Sequence, residues 1–291
     1  MPIRGWALFA ALSLLWGVIY LLLKVLGDDI APATLTFLRC VLAAALLFPL
    51  ALRAGTLPSL RVHWRALLTM ALLGVVIPFV SLAAGVNHVT SGLASILGAT
   101  TPILIVLLAI PFDRSERVGL VQALGLLVGI GGIVLLFGGG VAGDGDAVLG
   151  AALVLFASLV YAGATLYYKH AFHDLHPVGL MSWVFLLSAV LLAVPAALDP
   201  PARVPHADEL ASIVALGVFC SGAVYVLYFE LVDLAGAGRA SVSLYVSPAI
   251  AVVLGAIALG EELTATSVAG LLLVVIGARL STGGVVSEPA V

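Results

Sequence analysis

About ten segments of this chain are each long and apolar enough to cross a membrane as a single helix. A membrane helix needs about 20 mostly apolar residues. Since 63% of the 291 residues are hydrophobic and only 9% are charged, the chain cannot cover the surface of a soluble domain. The sequence therefore predicts an all-α polytopic membrane protein and excludes a soluble enzyme, a nucleic-acid-binding protein and a disordered chain. The segments lie near residues 6–26, 32–52, 65–86, 91–111, 118–138, 147–168, 177–197, 209–230, 239–259 and 264–282.

The loops between these segments are too short to fold as domains. They hold most of the charge and the turn-forming residues, as in the stretches 113–117 and 143–146. No nucleotide-binding loop, zinc-protease motif or serine nucleophile motif is present in the sequence. We therefore predict that the chain is not an enzyme and that it binds neither a cofactor nor a metal ion.

The basic residues predict the orientation of the chain, because cytoplasmic loops carry an excess of Lys and Arg. With loops numbered alternately from the N-terminus, one side carries only Lys24 and Arg203, and Arg39 lies within the second segment. This bias favours an even number of spans, with both termini in the cytoplasm, in an inner or plasma membrane. The other side carries Arg4, Arg53, Arg61, Arg65, Arg114, Arg117, Lys169, Arg239 and Arg279.

The chain also repeats itself at an offset of 145 residues. That shift places Lys24 on Lys169, and it likewise superposes Asp29 on Asp174, Pro32 on Pro177 and Glu116 on Glu261. The sequence thus predicts two repeats, residues 1–142 and 143–291. Since each repeat has five spans, an odd number, the second must cross the membrane in the opposite sense to the first. Inverted repeats of this kind are a common plan of secondary transporters.

Several short motifs occur in an order and spacing typical of one protein family. They are Trp16-Gly17, Phe37-Leu38-Arg39, Thr101-Pro102, Ser247-Pro248 and Gly260-Glu261-Glu262. With ten spans in two halves, the chain resembles the EamA-domain branch of the drug/metabolite transporter superfamily over nearly its whole length. Within that branch it is most similar to the YddG-type exporters of aromatic and other neutral amino acids. The resemblance implies a substrate cavity between the two halves, lined by spans 1, 3, 4, 6, 8 and 9.

Polar and aromatic residues recur on single faces of the predicted helices. Because lipid-facing surfaces should be apolar, such stripes are expected to face the interior of the bundle. The serines and glycines among them are equally consistent with close helix packing. A phenol at mid-membrane depth, in contrast, needs a hydrogen-bond partner or water. The candidate substrate-binding residues are Trp16, Tyr20, Phe79, Ser95, Tyr161, Thr165, Tyr225 and Tyr245.

Two prolines and two charged residues within the spans are further candidates. Pro102 and Pro248 interrupt the backbone ladder of spans 4 and 9, and each follows a hydroxyl residue able to satisfy the freed carbonyl. They predict either a pair of gates or simple packing kinks. Arg39 and Glu230 are interpreted as structural charges or as charges that couple transport to an ion.

The sequence predicts a secondary transporter that exports a small, neutral metabolite. Aromatic rings and hydroxyls with little fixed charge suit an apolar amino acid better than a phosphate, which would require clustered basic residues. The alternatives are a drug or nucleotide-sugar carrier of the same fold, or an intramembrane enzyme or scaffold. The expected partners are the small-molecule substrate and the lipid bilayer, with the chain a monomer or a weak homodimer.

Overall fold

In a computed structural model of the chain, every regular element of the described residues is helical. The structure describes residues 2–27, 29–109, 120–136, 144–172, 174–201, 203–235 and 237–282, without the side chains of residues 136, 237–239, 241, 242, 245, 281 and 282. The helices are α1 (Ile3–Leu26), α2 (Pro32–Ala54), α3 (Leu60–Ala71), α4 (Ile77–His88), α5 (Ser91–Gly98), α6 (Thr101–Ala109), α7 (Leu120–Leu136), α8 (Gly145–Ala171), α9 (Pro177–Leu198), α10 (Ala207–Val214), α11 (Val224–Ala235), α12 (Ala237–Leu259) and α13 (Ala265–Thr282).

Seven helical stretches in the described residues are long and apolar enough to cross a membrane. Three shorter apolar helices, Leu120–Leu135, Val246–Leu259 and Ala265–Leu280, lie where the sequence predicts the other spans. Together they confirm a multi-pass helical membrane protein, while the count of ten spans remains a prediction. The boundary between the predicted repeats falls at residues 142 and 143, outside the described residues.

Two of the membrane-crossing stretches contain a π-helical segment. The segment Leu72–Val76, π1, joins α3 to α4, and the segment Ala215–Ala223, π2, joins α10 to α11. A π segment widens the backbone turn and is frequently found at functional sites. Here both segments lie next to residues that line the interior of the bundle.

The predicted fourth span is interrupted, in contrast to the single helix expected from the sequence. It consists of α5 and α6, separated by a turn at Ala99 and Thr100. Pro102 is therefore the second residue of α6, where the missing backbone N–H costs no helical hydrogen bond. Pro248, in contrast, lies inside the continuous helix α12.

Close contacts between small residues hold the two halves of the chain together. Gly85 of α4 faces Gly150 of α8, and a methyl group on either glycine would lie 2.8 Å from the carbonyl oxygen of the other. The glycines of α7 and α13 also meet within this one chain, since Gly277 packs against the backbone of Gly129. Small residues at such crossings let membrane helices approach closely and gain packing energy without a hydrophobic driving force.

Candidate substrate cavity

A central cavity of about 440 Å³ lies between the helices of the two halves. Ligand pockets for small molecules typically enclose about 300–1,000 Å³. None of the described residues that line this cavity is charged, and its wall combines aromatic rings, hydroxyls and aliphatic side chains. The cavity is therefore suited to a small ligand that is neutral overall.

Seven of the eight predicted binding residues line this one cavity. They come from α1, α4, α5, α8 and α11, which lie far apart in the sequence. The eighth, Tyr245, has its side chain outside the described part of the structure. Both candidate gating prolines, Pro102 and Pro248, also contribute to the wall. The seven residues are Trp16, Tyr20, Phe79, Ser95, Tyr161, Thr165 and Tyr225.

The aromatic residues of the wall contact one another. The ring centroids of Trp16 and Tyr228 are 5.7 Å apart, and the ring of Tyr225 also packs at 5.8 Å against Phe185, which does not line the cavity. The side chains of Tyr161 on α8 and Tyr225 on α11 both line the cavity and lie close enough to interact.

Nearly all serine and threonine hydroxyls of the wall donate to carbonyl oxygens of their own helix. Ser95 Oγ donates to the oxygen of Gly92 at 2.7 Å, Ser158 Oγ to that of Val154 at 3.0 Å, and Thr165 Oγ1 to that of Tyr161 at 2.9 Å. A hydroxyl has one proton to donate and two lone pairs to accept with. With its proton engaged, each of these oxygens retains accepting capacity toward the cavity.

The two prolines share the same local compensation. Proline at position i leaves the carbonyl of residue i−4 without its backbone donor. Thr101 Oγ1 donates to the oxygen of Gly98 at 2.7 Å, and Ser247 Oγ donates to that of Leu244 at 3.0 Å. In both cases the hydroxyl before the proline satisfies the carbonyl of residue i−4, which ends α5 in the case of Pro102 and lies within α12 in the case of Pro248.

The two ends of the bundle differ in their contacts. We call them the Arg4 end, where Arg4 forms an ion pair with Glu230, and the Glu261 end, where Glu261 meets the start of α5. Most wall residues of α8, α9 and α12 lie in the half of each helix nearer the Arg4 end, whereas Trp16, Ile19 and Tyr20 lie in the half of α1 nearer the Glu261 end. The cavity therefore lies between the two ends. Glu230 belongs to the ion pair of the Arg4 end and is not part of the cavity wall.

The side chains of Glu261 and Lys24 form hydrogen bonds with backbone groups at the Glu261 end. The carboxylate of Glu261 accepts hydrogen bonds from the backbone N–H of Ser91 at 2.7 Å, from Ser91 Oγ at 2.9 Å and from the N–H of Gly92 at 3.1 Å. An acidic group is stabilised at a helix N-terminus, so this contact links the start of α5 to the other half of the chain. Nearby, Lys24 Nζ donates to the carbonyl oxygens that end α4, including that of Val89 at 2.8 Å.

Arg39 lies beside the cavity without lining it. Its side chain is 2% exposed, its Cζ atom lies 4.5 Å from the ring centroid of Phe79, and its Nε and Nη2 atoms donate to Ser221 Oγ at 3.3 and 3.2 Å. Ser221 thus binds Arg39 and is not part of the cavity wall. The guanidinium is separated from the ligand space only by residues such as Phe79, which touch both.

Some wall residues were not among the predicted binding residues. Tyr168 follows Tyr161 by seven residues and Thr165 by three, so the same helical stripe extended by one turn would have included it. Met70 and Met181 also line the cavity, although each looks like an ordinary apolar residue of a span. No polar signal in the sequence distinguishes these methionines from lipid-facing or core residues.

Apolar helices that enclose an uncharged central cavity define a multi-pass membrane protein that can hold a small molecule within the bilayer. The EamA-like transporter family matches residues 3–138 and, a second time, residues 148–283. The chain therefore belongs to the EamA-like transporter family. This confirms the broader family inferred from the motifs, without specifying the amino-acid exporter subtype.

Known proteins similar to this chain include two bacterial transporters and a solved structure. The uncharacterized transporter YoaV of Bacillus subtilis (strain 168) is 27% identical over 94% of both chains. The uncharacterized inner membrane transporter YedA of Escherichia coli (strain K12) is 28% identical over 100% of this chain and 94% of its own length. A crystal structure matches with a TM-score of 0.67 at 19% identity, covering 98% of this chain and 99% of the other, which shows a shared fold.

Proposed function

We propose that this transporter exports small neutral metabolites, namely aromatic or other apolar amino acids, by alternating access at the central cavity. The observation that carries this proposal is the chemistry of the cavity wall. Its described residues are aromatic, aliphatic or hydroxyl-bearing, and none is charged. A phosphate or a sugar nucleotide would need basic groups on the wall, whereas an apolar side chain is well accommodated by rings and methyl groups.

The hydroxyl oxygens of the wall support a ligand rich in hydrogen-bond donors. Ser95, Ser158 and Thr165 have their protons engaged and can only accept further hydrogen bonds. An ammonium group has three donors and no acceptor. The ammonium end of an amino acid is thus matched by several acceptors, while its side chain would lie against Trp16 and Phe79.

Counterflow in proteoliposomes tests this function directly. Vesicles loaded with unlabelled L-phenylalanine should take up external labelled L-phenylalanine faster than empty vesicles or vesicles lacking protein. L-Leucine inside should also support exchange, whereas L-lysine and a nucleotide sugar should not. Exchange of the nucleotide sugar in place of the amino acids would contradict the proposed substrate class and favour a carrier of sugar nucleotides.

We also propose that the two halves are inverted repeats that exchange conformations during transport. Two observations support this. The family matches the chain twice, with both ends of the match displaced by 145 residues. The segment π1, Leu72–Val76, moved by the same 145 residues falls at 217–221, inside π2. An inverted pair of similar halves can carry a central site from one side of the membrane to the other.

In the proposed orientation the protein lies in the inner or plasma membrane, and its Arg4 end faces the cytoplasm. The excess of basic residues on that side supports it. A membrane-impermeant thiol reagent applied to intact cells should label a cysteine substituted for Asp144 and leave one substituted for Arg61 unlabelled. Labelling at position 61 instead would reverse the orientation.

We propose that Pro102 and Pro248 serve gates at opposite ends of the cavity. Both lie in its wall, and each has a hydroxyl that holds the freed carbonyl in place of a backbone donor. Pro102→Ala and Pro248→Ala should preserve folding yet shift the inward- and outward-facing populations in opposite directions. Reaction rates of single cysteines at the two ends measure those populations, and unchanged rates or equal shifts in both variants would make the prolines packing kinks.

A further inference from the structure

Arg39 is a buried cation whose hydrogen-bonding capacity is incompletely used. Its Nε and Nη2 atoms donate to Ser221 Oγ, but Nη1 is buried without a hydrogen-bond partner among the described residues. An arginine has five N–H donors and is effectively always charged. Buried polar groups are almost always paired, so an unpaired one in a native structure calls for an explanation.

The charge of Arg39 is also uncompensated. Within the described part of the chain, no carboxylate pairs with it, and its nearest polar contact is a serine hydroxyl. The face of the Phe79 ring, 4.5 Å from Cζ, provides a favourable but incomplete substitute for an anion. A lone cation in a membrane is costly and is a functional hypothesis by default.

The surroundings of Arg39 are the wall of the cavity. Phe79, Cys220 and Tyr225 all line the cavity. The guanidinium of Arg39 forms a cation–π contact with the ring of Phe79 and lies close enough to Cys220 and Tyr225 to interact with them through its charge. Ser221 donates to the oxygen of Leu216, five residues earlier, so the π2 segment turns its accepting lone pairs toward Arg39. Phe79 follows π1 by three residues. Two irregular segments therefore present the groups that hold the guanidinium beside the ligand space.

We propose that Arg39 is a covered carboxylate-binding site of the central cavity. When the Phe79 ring rotates away, Nη1 and Nη2 become available to a ligand carboxylate, which supplies the missing partner and charge. Because the hydroxyl oxygens of the wall match an ammonium group, the complete ligand would be a zwitterion held at both ends. This inference rests on the proposed function and assigns to Arg39 the recognition of the carboxylate.

The same guanidinium could bind a carboxylate from an amino acid or from a simple organic acid. Both share the group that Arg39 recognises, and they differ only in the ammonium. An arginine that merely stacks on Phe79 and holds Ser221, in contrast, would be indifferent to the charge of anything in the cavity. Charge selectivity at this wall is therefore the readout that separates a binding role from a structural one.

Cys220 provides a reporter of that selectivity that needs no knowledge of the substrate. In a Cys40→Ala background it is the one remaining cysteine of the chain, and its side chain lines the cavity next to Ser221. Its second-order rate constants with anionic sulfonatoethyl and cationic trimethylammonioethyl methanethiosulfonate would be measured in purified protein. Any effect of Arg39 on the reactivity of the thiol itself applies to both reagents and cancels in their ratio.

The expected result is a preference for the anionic reagent that depends on Arg39. The anion-to-cation ratio should fall about tenfold or more in Arg39→Gln, because a unit charge a few ångströms away acts oppositely on the two reagents. Arg39→Lys should keep the ratio within a few-fold. An unchanged ratio in Arg39→Gln, or no reaction of Cys220 with either reagent in the folded protein, would overturn the proposal.

A second measurement changes the ligand and leaves the protein intact, so it does not depend on whether a variant folds. A ligand that binds the folded state raises the unfolding temperature. L-Phenylalanine should raise the Tm of the wild-type protein, and L-phenylalaninamide, which lacks the carboxylate, should not. Equal stabilisation by the amide would contradict a carboxylate site.

The remaining outcomes show whether the bound carboxylate belongs to an amino acid or to a simple organic acid. They also separate failure of the carboxylate site at Arg39 from failure of the proposed amino-acid transport. Stabilisation by 3-phenylpropionate as strong as that by L-phenylalanine would assign the site to organic acids. If none of the three compounds binds, the proposed amino-acid function fails, while the reagent ratio at Cys220 still decides whether Arg39 attracts anions into the cavity.

Discussion

Replacing Trp16 or Tyr161 with alanine should reduce amino-acid counterflow by about tenfold or more while the protein remains folded and inserted. Both side chains line the central cavity, where Trp16 also contacts the ring of Tyr228. Large aromatic side chains at a binding surface commonly contribute about 2 kcal/mol or more when truncated. The measurement is initial counterflow of labelled L-phenylalanine at matched protein amounts in proteoliposomes.

Each of these two variants has a matched control on the same helix. Leu14 on α1 is 50% exposed and Leu159 on α8 is 42% exposed, so both face the lipid side of the bundle. Leu14→Ala and Leu159→Ala should retain near wild-type counterflow, since each removes an apolar side chain of similar depth outside the cavity. Wild-type counterflow in both aromatic variants would mean that the stripes of α1 and α8 serve packing alone.

Gly17→Val should destabilise the protein by about 2 kcal/mol or more, because overpacking a close contact typically costs about 1–3 kcal/mol. A methyl group at Gly17 would lie 2.8 Å from the carbonyl oxygen of Ser247 and 2.8 Å from Ile250 Cγ2. The first of these is a backbone atom of α12, which cannot move aside without shifting the helix. We expect a clearly lowered Tm in detergent, measured by the loss of helical circular dichroism on heating.

Gly163→Val on α8 is the control for that prediction. A methyl group at Gly163 would meet nothing within 4 Å, so the same change of residue type should leave the Tm near the wild-type value. Equal losses in both variants would show that valine is unfavourable in these helices for local reasons. In that case the crossing of α1 and α12 would not be the cause of the loss.

The position of the predicted binding residues illustrates what periodicity in a sequence can achieve. Trp16 and Tyr20 are predicted to bind substrate because they share one face of a helix. Tyr161 and Thr165 are predicted to do so because they share one face of another helix. In the structure all four line one cavity. These residues meet because a bundle in lipid has only one place for such groups, and a helix turns a whole stripe toward it.

The same stripes also contain residues that serve packing, which periodicity cannot separate from binding residues. Gly17 lies between Trp16 and Tyr20 on the α1 stripe, yet it is pressed against α12. Ser13, one turn earlier, is buried and donates to the oxygen of Phe9. Small residues suit both a cavity wall and a tight crossing, so only the position of the neighbouring helix distinguishes the two.

Composition alone determined the class of this protein. With 63% hydrophobic and 9% charged residues in long runs, the chain has no stable arrangement other than helices in lipid, since every backbone polar group must be satisfied within its own segment. The motif order likewise sufficed to identify the EamA family. Both conclusions depend on properties summed along the chain, and they do not require knowledge of which helices meet.

The tertiary structure alone decided which groups meet and what each one contacts. It paired Arg39 with Ser221 and Phe79, and it placed Glu261 at the start of α5. These contacts join residues between about 40 and 180 positions apart. Helix contacts in a membrane depend on shape and hydrogen bonding rather than on hydrophobicity, which is nearly uniform along such a chain. For that reason the hydropathy of the sequence carries little information about them.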